Sequence, residues 1–386
     1  MPNSWPLVPL GELLNPISRP ETVDPDNTYR ILGAHWYAQG LYVKDVTTGA
    51  GIQAKSLYRV EENDFVYNRL FAWKGSFALA TKENHGCYVS NEFPCFAVNR
   101  SRLDGRFLSR FFSRSSAWDE ALSESTGGTP TSRNRLKEHK FLAFKIPLPP
   151  LNDQRRIVAR IEQLAAKIQE ARHTQIDVIE RCDALCRSII FGKSSDTVVP
   201  TAMGTIVKLR EPDIDVQREG IYPFAGVYCF GKGVFTGAAK SGMEFEYSRL
   251  TRLRAGDFVY PKLMAWEGAL GVVPPECDGL VVSPEFPVFE IDQSQVLPET
   301  LDVYFRTPSV WPLLAEISTG TNVRRRRLHP SAFLRFEMPV PEMKSQLKLR
   351  GVKRRVDALK HLQSESATEL DALMPSILDK AFRGEL

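Results

Sequence analysis

From Tyr29 to Asn99 the apolar residues come in short runs, among them FVYNRLFAW, SFALAT and CYVSNEF, broken by glycines and turn residues. Such runs, rich in Val, Tyr and Phe, predict short strands. Arg106 to Leu122 predicts a short helix or two, and FKIPLPPL (144 to 151) an extended, proline-bounded exit. Past Asn152 the texture changes, with no Pro or Gly until Gly192. Apolar positions there step by threes and fours through Ile157, Ile161, Leu164, Ile168, Ala171, Gln175, Val178, Cys182, Leu185 and Ile189. This predicts one long helix, on the order of 55 Å at 1.5 Å per residue. A stripe so narrow is that of a coiled-coil seam rather than the broader face of a globular helix.

The chain is written twice. Shifted by 193 positions, Asp64–Phe96 lies without a gap over Asp257–Phe289, and 16 of the 33 positions are identical. The same shift pairs Tyr29 with Tyr222, Gly33 with Gly226, Gly40 with Gly233, Gly49 with Gly242 and Trp118 with Trp311. One residue is then dropped, so that TGGTPTSRNRL (126 to 136) meets STGTNVRRRRL (318 to 328) and Gln154 meets Gln346. A period this long makes each copy a whole domain with its connector. The second seam runs through Val352, Val356, Leu359, Gln363, Ser366, Leu370, Leu373 and Ile377.

Two such helices in one chain are natural partners for each other. Because each starts at the end of its own domain, the expected fold is α/β (α+β): two repeated domains, separated by an antiparallel two-helix coiled coil and related by a pseudo-twofold. The expected boundaries are 1–146 for the first domain, 147–191 for the first helical region, 192–199 for a polar linker, 200–340 for the second domain and 341–386 for the second helical region. Gln175 and Gln363 each interrupt a seam near mid-helix, so an antiparallel pair would set them face to face as a register device. Two differences between the copies are expected to spoil the symmetry. The first helix ends LCRSIIFGK where the second has LMPSILDKAFRGEL, and three extra residues, Gly351 among them, stand early in the second.

Charge narrows the function. Fifty Lys and Arg stand against 46 Asp and Glu, so any nucleic-acid contact must be a local patch rather than a property of the whole chain. Six dispersed cysteines without CxxC pairing suit reduced thiols. No apolar stretch has the length of a membrane span and the start has no leader pattern, so a cytoplasmic location is expected.

Enzyme motifs do not assemble. Gly192-Lys193-Ser194 has Arg187 where a phosphate-binding loop needs glycine, and it follows a helix instead of opening one. Asn15-Pro16 continues as Ile-Ser, unlike the Asn-Pro-Pro-aromatic pattern of amino-methyltransferases, and Pro212-Asp213 with Glu219 lacks the downstream Glu-x-Lys of a nuclease. Cys182 and Cys186, four apart on a helix, have no second pair beside them, and packing accounts for them better than a metal does. No catalytic and no metal-binding residues are therefore assigned.

What remains is basic and aromatic. Arg324, Arg325, Arg326 and Arg327 form a compact run in a loop rich in Gly and Thr, and the matching loop carries Arg133 and Arg135. Adjacent like charges repel unless something anionic compensates, and guanidinium groups fork to two phosphate oxygens, so these six are candidate DNA-backbone contacts. Five arginines between Arg100 and Arg114 fit a solvated helix face equally well.

PLPPLNDQRRIVARIEQL (147 to 164), the closing LMPSILDKAFRGEL (373 to 386), the STGGT and STGT loops and the NRLFAWKG segment resemble the DNA-specificity subunits of type I restriction-modification systems. The resemblance implies two target-recognition domains, each reading half of a bipartite duplex site. It also implies helical regions that dock two methyltransferase subunits and, through them, restriction subunits. No cofactor would bind this chain; S-adenosylmethionine and ATP would sit on the partners, and the chain itself would be non-catalytic. The rival reading is a duplicated scaffold or ligand-binding protein that does not bind DNA.

Where the copies agree, the residues are expected to hold a shared scaffold: Asp64/Asp257, Trp73/Trp266, Gly75/Gly268 and Phe93/Phe286. Loop positions where they differ can read different bases. His35, Trp36, Gln39, Asn68, Arg69 and Lys74 in the first copy, with Tyr228, Lys232 and Lys262 in the second, are the candidate base contacts, since Gln and Lys offer donors to adenine and guanine edges.

Overall fold

The computed structural model describes residues 5–127, 134–192, 198–320 and 326–386. The chain divides into two compact units, residues 1–173 with 365–386, and residues 174–364. Each unit is α+β and each has the same three sheets.

In the first unit a four-stranded antiparallel sheet runs in the order Leu14–Ile17, Cys95–Val98, Asp64–Tyr67, Phe77–Leu79. A five-stranded sheet runs Pro20–Thr22, Ser56–Arg59, Tyr88–Val89, Thr28–Ala34, Leu41–Thr48. Leu7–Pro9 pairs with Lys145–Pro147, tying the start of the domain to its exit. The second unit repeats each: Val207–Leu209, Val288–Ile291, Phe258–Val259, Gly271–Val272; then Ile214–Asp215, Arg249–Arg252, Val281–Val282, Ile221–Tyr228, Gly233–Ser241; then Val199–Ala202 with Glu337–Val340.

The matched aromatics build matched cores. Phe65 and Phe141 stack at 4° with ring centroids 6.1 Å apart, and Phe258 and Phe333 at 3° and 5.6 Å. A smaller apolar cluster joins the two larger sheets, through Val66, Val89 and Cys95 in one unit and Val259, Val282 and Val288 in the other. All six cysteines are free, and Cys186 is packed in the larger core of its unit, where burial pushes its thiol up.

The agreed residues are scaffold. Asp64 accepts from Arg19 at 2.6 Å and from the Glu61 amide at 2.8 Å; Asp257 accepts from Arg210 at 2.6 Å and from the Arg254 amide at 3.0 Å. Gly75 and Gly268 take φ of 74° and 79°, and a Cβ at either would stand 2.4 Å from the indole of Trp118 or Trp311. Only glycine meets both demands.

Both long helices form, Leu151–Phe191 and Met343–Arg383, 41 residues each. Each starts three residues before its matched glutamine, and the first buried apolar residue, Ile157 or Leu349, comes three residues after it. The expected extra residues at the start of the second helix are therefore not an insertion; Gly351 simply occupies a helical position with open space around it.

Within each unit the start of one helix lies beside the end of the other, antiparallel. In the first unit Ile157, Val158 and Ile161 share a core with Leu378, Ala381 and Phe382, and Arg172 meets Asp371 at 2.5 Å. In the second, Leu349 and Val356 share a core with Cys186 and Ile190, and Lys360 meets Asp183 at 2.8 Å. The two helix ends that differ in sequence thus do the same packing. The strict seam is corrected at those ends: Leu185 and Leu373 are exposed, while Cys186 and Leu378 are buried. An α-helix drifts about 20° per heptad against a 3.5 repeat, and docking on a globular domain favours the drifted face.

The expected amide pair does not form. Gln175 and Gln363 are half-buried and share no hydrogen bond, and the Asp183–Lys360 pair sets Gln363 level with Glu180. That is five positions from Gln175, about 7.5 Å along the axis. The register in this unit is carried by charges at the seam's edge.

The glutamines that matter are the matched ones, both fully buried. Gln154 Nε2 donates to the carbonyls of Arg102 and Pro149 at 2.9 and 2.8 Å, and its Oε1 accepts from the Asp104 amide at 2.8 Å. Gln346 Nε2 donates to the carbonyls of Gln295 and Pro341 at 3.0 and 2.8 Å; its Oε1 accepts from the Leu297 amide at 2.7 Å and Thr300 Oγ1 at 3.2 Å. Each clamps a helix start to the body of its unit. Gln154→Leu strands one buried and two part-buried backbone groups and is expected to cost about 3 kcal/mol, read as a fall in the urea midpoint. A loss below about 0.5 kcal/mol, the range of ordinary surface changes, would contradict the clamp.

Candidate nucleic-acid interface

The site in each unit is a hairpin tip seated on a one-turn 3-10 helix. In the first unit the strands Thr28–Ala34 and Leu41–Thr48 carry the tip 35–40, and the turn is Ala72–Lys74. Tyr37 N–H donates to the Lys74 carbonyl and Ala38 N–H to that of Gly75, both at 2.7 Å. In the second, Phe230 N–H donates to the Glu267 carbonyl and Gly231 N–H to that of Gly268, both at 2.9 Å. Tyr37, Ala38, Phe230 and Gly231 all have positive φ, between 53° and 67°. Non-glycine residues adopt this conformation at a cost, and here two backbone hydrogen bonds hold it.

Stacked rings stand on the sheet beside each tip. His35 stacks on Tyr42, centroids 4.2 Å apart at 26°; Tyr228 stacks on Phe235 at 3.9 Å and 19°. Tyr42 and Phe235 face Gly33 and Gly226 in register, and a Cβ on either glycine would come within 2.7 Å of the ring. The glycines let the rings lie flat across the strand. His35, Trp36, Asn68, Tyr42, Lys44 and Phe71 line one cleft of about 440 Å³.

The remaining candidate base contacts divide in two. Lys74 Nζ lies 3.6 Å from the centroid of the Trp36 ring, and Gln39 and Lys232 are exposed at the two tips. Arg69 and Lys262 are turned to the scaffold instead. Arg69 binds Glu138, with Nε 3.2 Å from Oε2, and donates to the Asn91 carbonyl. Lys262 Nζ donates to the Pro284 carbonyl at 2.8 Å. Asn68 Oδ1 accepts from the Leu70 amide at 2.9 Å, which leaves its amide nitrogen toward the cleft.

Of the backbone candidates, Arg133, Arg324 and Arg325 lie outside the described residues. Arg135 and Arg327 sit at equivalent places at the feet of their loops, on Glu92 at 2.5 Å and Glu285 at 3.1 Å. Arg326 is half-exposed and has no carboxylate partner among the described residues. In the stretch from Arg100 to Arg114, Arg102 meets Glu12, and Arg106 and Arg110 meet Glu162. Arg114 is half-buried over the rings of Phe111 and Phe382, at 4.2 and 4.8 Å, and desolvation lowers its pKa. That stretch is a helix face with one member turned inward.

Sequence reasoning missed Tyr42 and Phe235, the rings under the two stacks. The signal was the matched glycine inside a strand, which marks a close approach by another group. It also missed the exposed Tyr37 and Phe230 at the tips, which differ between copies but carry no charge to mark them.

The Arg69–Glu138 pair has a pH consequence. Its hydrogen bond from Arg69 holds the Glu138 carboxyl below its ordinary range. A depressed carboxylate adds stability that is present above its unfolded pKa, about 4.3, and is lost as pH falls through the folded value. The stability difference between wild type and Glu138→Gln is expected to be largest near neutral pH and to shrink in acid. A difference independent of pH would contradict the pairing.

Residues 2–181 match the family model of the type I restriction modification DNA specificity domain. The fold of the whole chain is similar to that of an HsdS subunit from Thermoanaerobacter tengcongensis, with a TM-score of 0.58 at 20% identity, covering 100% of this chain and 98% of that one. A chain in a structure described as the basis of complex assembly and conformational transition of the type I R-M system has a TM-score of 0.68 at 20% identity, covering 100% and 99%. At this identity the likeness is one of fold. No curated protein matches the chain significantly.

Proposed function

We propose that the chain, whose residues 2–181 match the type I restriction modification DNA specificity domain, is a DNA-specificity subunit of a type I restriction-modification system, and that each of its two units reads one half of a bipartite duplex site. The observation that carries this reading is the pair of hairpin tips: one backbone scaffold, held by the same hydrogen bonds, presenting different exposed aromatic and polar side chains. Recognition of a base sequence needs that combination, a fixed frame and variable edges.

In this reading His35, Trp36, Gln39, Asn68 and Lys74 face one half-site, and Tyr228 and Lys232 the other. Arg69 and Lys262 hold the frame. Arg133 and Arg324 to Arg326 contact phosphates, while Arg135 and Arg327, already neutralised by Glu92 and Glu285, anchor the loops that carry them. The helices dock two methyltransferase subunits, which in turn hold restriction subunits. S-adenosylmethionine and ATP bind those partners, and this chain supplies specificity without catalysis, in the cytoplasm. No helix among the described residues is long and apolar enough to cross a membrane.

Exchanging residues 1–146 for those of another family member is expected to change one half of the methylated motif and leave the other as it was. An unchanged motif would refute the assignment. Arg326→Ala is expected to weaken all duplexes alike and to flatten the slope of log K against log salt by about one unit. A shift in base preference at unchanged affinity would show that this loop reads sequence.

A further inference from the structure

The two tips bring together the same pair of positions, with opposite chemistry. In the first unit the tip residue Trp36 meets the turn residue Lys74, whose ammonium rests 3.6 Å from the ring centroid. In the second, the equivalent residues are Cys229 and Glu267; burial and then the charge of the neighbouring Glu267 push the Cys229 thiol up. Both turn residues end a three-residue 3-10 helix closed by a left-handed glycine, and both have their carbonyls bound by the tip. Because the backbones agree, the charge reversal is a change of reading head on an unchanged mount.

We infer that Lys74 and Glu267 are specificity-determining residues that read opposite partners at equivalent positions of the two half-sites, guanine under Lys74 and cytosine under Glu267. This deepens the DNA-specificity reading and rests on it. An ammonium has donors only and matches the O6 and N7 acceptors of guanine, whereas a carboxylate has acceptors only and matches the N4 amino group of cytosine. Each head also excludes the other base, since Lys74 would face the cytosine donor and Glu267 the guanine acceptors. Trp36 limits the freedom of the Lys74 chain through a cation–π contact and leaves the ammonium protons for the groove. The Glu267 carboxylate, beside Cys229, offers acceptors only. Both side chains are half-buried, so the heads are placed by packing rather than left mobile.

The test is methylation-site mapping with the full chain and its methyltransferase subunits. Wild type, Lys74→Glu, Lys74→Met and Glu267→Lys are compared. Lys74→Glu is expected to replace guanine by cytosine at one position of one half-site, with a preference change of about tenfold or more, and to leave the other half intact. Lys74→Met should lose the guanine preference without gaining cytosine, and Glu267→Lys should replace cytosine by guanine in the other half. Wild-type methylation with all three variants keeping the parental motif, or changing both halves together, overturns the inference alone. A wild-type complex that methylates no defined motif overturns the DNA-specificity reading, and this inference with it.

Discussion

Two buried amides set the frame on which the site depends. A glutamine side chain has two donors and an acceptor oxygen, and inside a protein every one left unpaired is costly. Gln154 and Gln346 have theirs filled by backbone groups from two segments at once, the proline exit of the domain and the turn that opens a helix, Gly105–Phe111 in one unit and Pro298–Phe305 in the other. The long helix therefore leaves each unit in a direction set by hydrogen bonds as well as by apolar packing, which is less directional. The same unit then receives the end of the other helix on its core, through Phe382 against Phe107 and Phe111 in one case and Ile190 with Cys186 in the other.

The copies also differ where this packing meets charge. In the first unit Ile161 lies in the core; the position three residues beyond Arg350 in the second is Lys353, held by Asp302 at 3.5 Å and Asp357 at 2.8 Å. Both Lys353 and Asp302 are largely buried, yet each finds an opposite charge, which is the condition under which such groups persist inside a fold. The second unit thus keeps the architecture with a different balance of forces at the helix, just as it keeps the hairpin tip with different side chains.

Much of the architecture was legible in the sequence because its causes are local or repeated. Helical periodicity marked both long helices, and the identities between copies marked Asp64, Trp73, Gly75 and Phe93 as frame. The failures have a common physical source, which is that sequence spacing does not fix register or orientation. Gln175 and Gln363 looked central on their seams, but the Asp183–Lys360 ion pair sets them five positions apart. Arg69 stood among the candidate base contacts because the copies differ there, but Glu138, 69 residues away in sequence, turns it inward. Arg114 looked like one of five surface arginines and is half-buried against a phenylalanine from the far end of the chain. Long-range partners of this kind leave no periodic trace.

The central claim is that the two hairpin tips enter the duplex and touch bases of different half-sites. A photo-activated cross-linker placed at position 39 or at position 232, in the complex on its own methylation target, tests this most directly. The account predicts adducts on bases of one half-site from position 39 and of the other from position 232. Adducts confined to the sugar-phosphate backbone, or both positions marking the same half, would contradict it.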